Sequence, residues 1–289
     1  MIAYGDRMPL LDPFAPWLGL DSETLRFLEI HRLRAMAVPG RAWRDLGDSV
    51  MLFSAVDTDP FFNRLAAVRW PSDRAAFDAR LALAKELFAA VERRPCLWVV
   101  PGLSTPPDIV ARLEADGFVD QGGGFDLVLV RSPLQPVRRP IAGEYTIERW
   151  NQPAQNELQA QAEALAVVVG EAFGIPGTRH ANLVREIALT LGTANFHSNV
   201  IRIGGEPVAV GSRYTFDGAS YLSSIGTRPA WQGRGFGTAI TLSLAQDSVA
   251  AGVGLVYLSV HADNDAAIRL YRSLGFAATG PKSADMLLG

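Results

Sequence analysis

The stretch Thr227-Arg228-Pro229-Ala230-Trp231-Gln232-Gly233-Arg234-Gly235-Phe236-Gly237-Thr238 constrains the fold more than any other part of the chain. It lies between a strand pattern ending near Thr227 and a helical pattern beginning near Thr238. Glycines at 233, 235 and 237 let the backbone approach a ligand with no side chain in the way. Successive N–H groups there, together with the positive end of the helix dipole, make a site for phosphate oxygens. The run is neither of the usual nucleotide fingerprints. It lacks the Lys-Ser/Thr pair of the P-loop, and its preceding strand belongs to a meander rather than to a parallel βαβ unit. Taken alone, it can also be read as a structural turn.

The surrounding pattern supplies the scaffold. Asn199 to Ile203, Val208 to Thr215 and Ala219 to Thr227 alternate as strands, with hairpin signals at Gly204-Gly205 and Asp217-Gly218. Before them come a strand over Glu144 to Trp150 and two helices, Asn151 to Phe173 and Arg179 to Leu191. After the loop come a helix to Ala251, a strand over Leu255 to Val260, a helix over Asp265 to Ser273 and a short terminal hairpin. The first half reads as a proline-rich arm over residues 1–20, a helix opening at Asp21-Ser22-Glu23, strands Val50 to Val56 and Arg64 to Val68, and an amphipathic helix Phe77 to Val91. Strand Cys96 to Val100, a short helix Asp108 to Ala115 capped at Gly117, and strand Phe125 to Val130 close that half. Ser132 to Pro140 suits a linker or domain boundary. A chain of 289 residues has room for two domains.

Both halves end alike, with a short helix, a Gly-Phe pair, a turn and a final apolar strand: Leu113 to Phe118, and Leu270 to Phe276. An internal repeat of one α+β (mixed α/β) fold is the expectation, with the first copy in 1–135 and the second in 141–289. With 48% hydrophobic and 20% charged residues, the chain can build two cores. A net charge of −3, with scattered arginines, argues against a general nucleic-acid binder. One cysteine, Cys96, sits in an apolar run and reads as structural, and no spacing suggests a metal site. No signal peptide and no membrane-spanning run is read, so the expected location is cytoplasmic.

A second motif lies downstream: Asn264-Asp265-Ala266-Ala267-Ile268-Arg269-Leu270-Tyr271, followed by Leu274-Gly275-Phe276. On a helix Asn264, Ala267 and Tyr271 share one face. Singly, Asn264 is most simply a helix cap and Tyr271 a core aromatic. Jointly, the two motifs resemble the GNAT acetyltransferases. Gln232, Gly235 and Gly237 match that family's Gln/Arg-x-x-Gly-x-Gly/Ala signature, and Asn264 to Phe276 matches its Asn-x-x-Ala-x-x-Leu-Tyr-x-x-x-Gly-Phe run. The resemblance covers about half the chain.

It implies two tandem GNAT-like domains, each a mostly antiparallel twisted sheet flanked by helices, and acetyl-CoA as donor. Backbone amides of Gln232, Gly233, Arg234, Gly235, Phe236, Gly237 and Thr238 would hold the pyrophosphate. The strand end Ile225-Gly226-Thr227 would splay from its neighbour at a bulge and pair with the pantetheine arm. An amide near Ile225 would face the oxyanion, while Asn264 and Ala267 would line the arm. Tyr271 would give a proton to the departing thiolate, since a phenol with pKa ~10 is protonated at neutral pH. The acceptor would be an amine, on a small molecule or a peptide amino terminus, and a homodimer is compatible with the pattern. An acyl group other than acetyl, another acceptor, or a non-catalytic coenzyme sensor are the alternatives.

Two departures stand out. Many family members carry a glutamate on the strand before the glycine loop, but Tyr221-Leu222-Ser223-Ser224-Ile225 has no carboxylate. That leaves Glu171, His180, His261 or a water held by Ser223 or Ser259 as bases. Acceptor specificity is expected at Phe173-Gly174-Ile175-Pro176-Gly177. The first half has Trp70-Pro71-Ser72-Asp73-Arg74 where its loop should be, and Leu113 where Tyr271 stands. It reads as a degenerate copy that cannot bind acetyl-CoA in the usual way, left to support the active half or shape its acceptor cleft.

Overall fold

The computed structural model describes residues 19–129 and 144–289. The expected arm, apart from its last two residues, the proline-rich linker and both expected domain limits at 135 and 141 lie outside these. In chain order the first half forms α1 (Ser22–Met36), β1 (Arg41–Asp45), β2 (Val50–Ser54), β3 (Arg64–Ala66), α2 (Arg74–Ala90), β4 (Cys96–Val99), α3 (Ile109–Ala115), β5 (Phe118–Asp120) and β6 (Gly124–Leu129). The second half forms β7 (Thr146–Trp150), α4 (Gln155–Ala172), α5 (His180–Leu191), β8 (Phe196–Ile203), β9 (Glu206–Phe216) and β10 (Ala219–Thr227). It ends with α6 (Phe236–Ala250), β11 (Leu255–His261), α7 (Asp265–Ser273), β12 (Phe276–Ala278) and β13 (Ala284–Leu288).

The strands make two mixed sheets, of order β1-β2-β3-β4-β13-β5 and β12-β6-β11-β10-β9-β8-β7. Two expectations are corrected here. The strand near Phe125 to Val130 does not close the first half's own sheet: β6 lies between β11 and β12. The terminal hairpin does not form: β13 leaves β12 and pairs antiparallel with both β4 and β5. The two insertions fall at matching places, so each sheet receives the last strand of the other repeat.

The chain forms two compact units. Among the described residues one holds 127–129, 144–259 and 265–277, and the other 19–126, 260–264 and 278–289. In the first, α4 and α5 cover one sheet face through Leu165, Val168, Val184, Phe196, Val200 and Val210. Helix α6 covers the opposite face through Phe236 and Ile240, against Ile201 and Val208. Val200 and Ile201 are adjacent on β8 and so point to opposite faces, which is how one strand serves both layers. The meander turns are as read. Gly204 and Gly205 have φ of 56° and 83°, and Asp217 and Gly218 have φ of 47° and 77°, the positive pairs a two-residue hairpin turn needs.

In the second unit α2 presents Phe77, Leu81, Ala84 and Phe88 to one face of the sheet, as its spacing requires. Helix α1 covers the other face, with Leu33 and Met36 against Val50, Leu52, Ala66 and Trp98. Among the described residues no helix is long and apolar enough to cross a membrane.

Candidate active site

The site begins as an irregularity in β10. Its register with β9 runs Ser223↔Ser212 and resumes at Gly226↔Val210, which is one residue too many on β10. Ser224 absorbs the extra length with φ of 50°, an unfavourable backbone for a residue with a side chain. Parallel pairing of β10 with β11 runs from Ala219↔Leu255 to Leu222↔Leu258. The strand from Ser223 onward is therefore beyond that ladder, and Ser224 is exposed. Gly226 follows, buried. A side chain there would start 2.7 Å from Ala172 Cβ and 3.2 Å from the Phe173 ring, so only glycine lets the end of α4 rest on the bulge.

Beyond β10 the chain turns through Pro229–Trp231 and then opens. Gly233 and Gly235 have φ of 74° and 89°, and a Cβ on either would meet nothing within 4 Å. These glycines are needed for backbone shape, with open space beside them. The Gln232 side-chain amide donates to the Thr227 carbonyl at 3.2 Å and closes the base of the loop. Arg234 donates to Ala230 O at 3.2 Å and lies over the Trp231 ring at 4.8 Å.

Helix α6 starts without a cap. Gly235 occupies the N-cap position and no side chain bonds the first turn. The N–H groups of Phe236, Gly237 and Thr238 have no intrahelical acceptor, and the helix dipole adds partial positive charge at the same point. The side chain of Phe236 is 1% exposed and belongs to the core, so only its backbone can face a ligand. A Cβ on Gly237 would lie 3.2 Å from Leu270 Cδ1, and this glycine lets α7 pack close to α6.

Helix α7 carries Tyr271, 7% exposed, with its ring 6.1 Å from that of Phe276. Burial, and secondarily Tyr221, push its hydroxyl pKa up to about 12. The phenol keeps its proton across the physiological range. Ala267 lies half-buried on α7. Asn264 directly precedes α7 in sequence but belongs to the other compact unit, exposed, with its backbone N–H donated to His261 O at 3.1 Å. Ile225 to Thr238, Ala267 and Tyr271 thus share one unit, which Asn264 does not.

The candidate bases fare differently. Glu171 is held bidentately by Arg228, at 2.9 and 3.0 Å, and Arg228 also binds Glu206. These carboxylates together raise the arginine's own pKa, Glu171 foremost. Both carboxylate oxygens of Glu171 are thus occupied by one guanidinium. His180 bonds Glu163 at 2.6 Å, and His261 is exposed in the other unit. Ser223 and Ser259 are half-buried. Arg228 itself was not singled out from sequence. Its partner is 57 positions away, and no local pattern marks an ion pair of that span.

The first half's counterpart differs in kind. Helix α2 is capped by Asp73, whose carboxylate accepts from Ala76 N–H at 2.9 Å, so its first turn is already satisfied by an anion. Leu113 is fully buried core. Among the described residues no group of His, Cys, Asp or Glu is placed to hold a metal ion.

Comparison with known proteins gives the same direction. The family model described as "Acetyltransferase (GNAT) family" matches residues 170–276. A mycothiol acetyltransferase of Nocardiopsis dassonvillei is 51% identical over 53 residues, 18% of this chain and 16% of that protein. The N-alpha-acetyltransferase RimI of Mycobacterium tuberculosis is 51% identical over 59 residues, 20% of this chain and 35% of that protein. The chain thus aligns with about a third or less of the length of either. Among solved structures, a GCN5-related N-acetyltransferase from Kribbella flavida superposes with a TM-score of 0.66 at 22% identity, over 91% of this chain and 94% of that one. A tandem GNAT protein from the clavulanic acid biosynthesis pathway gives 0.58 at 16% identity, over 87% and 83%. At these identities the likeness is one of fold.

Proposed function

We propose, from the premise that the chain belongs to the GNAT acetyltransferase superfamily, that its C-terminal repeat transfers an acetyl group from acetyl-CoA directly to an amine. The observation that carries this reading is the uncapped start of α6 behind an open glycine loop. A diphosphate fits there because three N–H groups and a helix dipole converge on it while no side chain fills the space. Bound acetyl-CoA would supply the activated acyl group.

The chain's own residues then divide the work. Gln232 to Thr238 hold the phosphates through backbone amides. The end of β10, past the last pair with β11, offers its free main-chain edge to an extended arm. The amide beside the bulge, near Ile225, faces developing negative charge on the acyl oxygen. Tyr271 donates its proton toward the leaving sulfur, for which a raised pKa costs nothing in proton occupancy at neutral pH. Ala267 lines the arm. The α4–α5 corner at Phe173 to Gly177 forms the acceptor wall. Phe173 is 54% exposed there and lies against Gly226. The acceptor is a small-molecule amine or a peptide α-amine, the latter in keeping with the likeness to an N-alpha-acetyltransferase. A water between the amine and Ser223 can carry off the proton that no carboxylate on β10 accepts.

One observation favours a second reading. With β10 free of carboxylates and Glu171 engaged by Arg228, the chain would also suit a coenzyme-binding sensor that does not turn over. Free-thiol release from acetyl-CoA, followed across a panel of small amines and amino-terminal peptides, separates the two. Release that depends on one amine supports transfer. Tight coenzyme binding with no release across the panel rules transfer out. Calorimetry should give one acetyl-CoA per chain, held by the second repeat.

A further inference from the structure

β3 stands to β4 as β10 stands to β11. Both pairs are parallel, and in both the first strand follows antiparallel neighbours in the sheet. Each first strand leads through a helix, α2 or α6, to its parallel partner. Each also meets a non-glycine residue with left-handed backbone, Ser224 at φ of 50° and Ala67 at φ of 53°. Ser224 and Ala67 therefore mark the same corner in the two repeats.

What each corner faces is different. Ser224 is exposed. Ala67 is buried, and its N–H donates to Glu29 Oε1 of α1 at 3.3 Å, while Arg26 donates to the Ala67 carbonyl at 3.1 Å. The gap beyond β3 and β4 is closed as well. Thr105 N–H donates to Val68 O at 3.0 Å, Trp70 N–H donates to Thr105 O at 3.1 Å, and Arg69 and Thr105 form a parallel bridge.

We infer that the first repeat keeps a vestigial acyl-oxygen corner and that the Glu29 carboxylate is its built-in occupant. A residue in left-handed backbone at a strand end turns its amide away from the ladder, and a buried amide must find an acceptor. In a working site the ligand brings that acceptor. In a copy that has lost its loop glycines, the fold must supply one. Glu29 is 1% exposed, one oxygen meets the Ala67 amide, and Oε2 has no hydrogen-bond partner among the described residues. A carboxylate buried with half its acceptors unused is costly for structure alone. It is accounted for by a corner shaped for a carbonyl or carboxylate oxygen. The chemical class that fits the corner is thus a small carboxylate.

This rests on reading the β10 bulge as an acyl-oxygen site, but its test uses no coenzyme, so the two fail separately. Glu29→Ala in the full chain should melt below the parent protein. Acetate or propionate at tens of millimolar should restore several degrees of that loss, against chloride at equal ionic strength, and leave the parent unmoved. Equal carboxylate responses in variant and parent would overturn the inference. If Glu29→Ala does not fold, Glu29→Gln keeps the question open, because its carboxamide oxygen still accepts from Ala67. The Ala67 amide must then exchange slowly with solvent in both parent and Glu29→Gln, and rapid exchange in either overturns it.

Discussion

Tyr271 and Glu29 are both buried groups with raised pKa values, and in each the folded chain favours the protonated form. For Tyr271, proposed above as the proton donor, the hydroxyl is the form that role needs, and a pKa of about 12 keeps it protonated. Tyr271→Phe should cut kcat by roughly 100-fold or more, the range for a lost general acid, while calorimetry finds acetyl-CoA affinity nearly unchanged. An undiminished rate removes the proton-donor role. For Glu29 the pKa rises from 4.5 to about 7, through burial first, against the pull of Arg32, with Asp126 raising it and Arg26 lowering it. The folded state then binds the proton more tightly than the unfolded one. The associated stability is full below pH ~4.5 and is lost as pH climbs through ~7. Glu29→Gln should remove that dependence, a difference on the order of 3 kcal/mol between pH 4.5 and 8. Melting curves across that range check it, and parallel pH slopes for parent and variant would contradict it. At this scale the loop's shape was most legible where residue type and spacing meet, as in Gly233 and Gly235, whose φ is positive. The sequence was illegible where a contact depends on a distant partner, as when Arg228 binds both oxygens of Glu171.

Two helix starts, α6 and α2, carry the contrast between the repeats. One opens on Gly235 with its first-turn amides uncapped, the other on Asp73 with a carboxylate already in place. Gly235→Asp would give α6 the cap that α2 has. The new carboxylate would compete with a phosphate for the same N–H groups and repel it. We expect acetyl-CoA binding to fall by 100-fold or more, as for loss of about 3 kcal/mol, with the melting temperature shifted by only a few degrees. The cap's gain is offset by strain at a φ of 89°. Unaltered coenzyme affinity would remove the loop from the binding site. Helices α2, α6 and α7 were legible because each buries one regular stripe or follows a glycine signal. Strand β1 was not, because four of its five residues are exposed and it carries no alternation to read.

At the level of the whole molecule the repeat was legible but the pairing of its last strands was not. An apolar run such as Met286-Leu287-Leu288 reports that a strand is buried on a sheet, and nothing in its pattern says which sheet. The decision is made by register. Met286 pairs with Leu97 of β4 and with Asp120 of β5, and its side chain is fully buried with Leu97, Trp70 and Phe118 in the second unit's core. Glycines mark where the exchanged chains pass: a side chain on Gly123 would start 1.8 Å from Ser283 O, closer than any atom can stand. A lesion near the C-terminus should therefore be felt by residues more than a hundred positions earlier. Met286→Ala removes buried volume at a cost of about 2–5 kcal/mol. Hydrogen exchange should locate that cost in β4 and β5, whose amides lose protection, while β8 and β9 keep theirs. Should protection instead be lost first in β8 and β9, the last strand belongs to its own repeat and the exchanged topology is wrong.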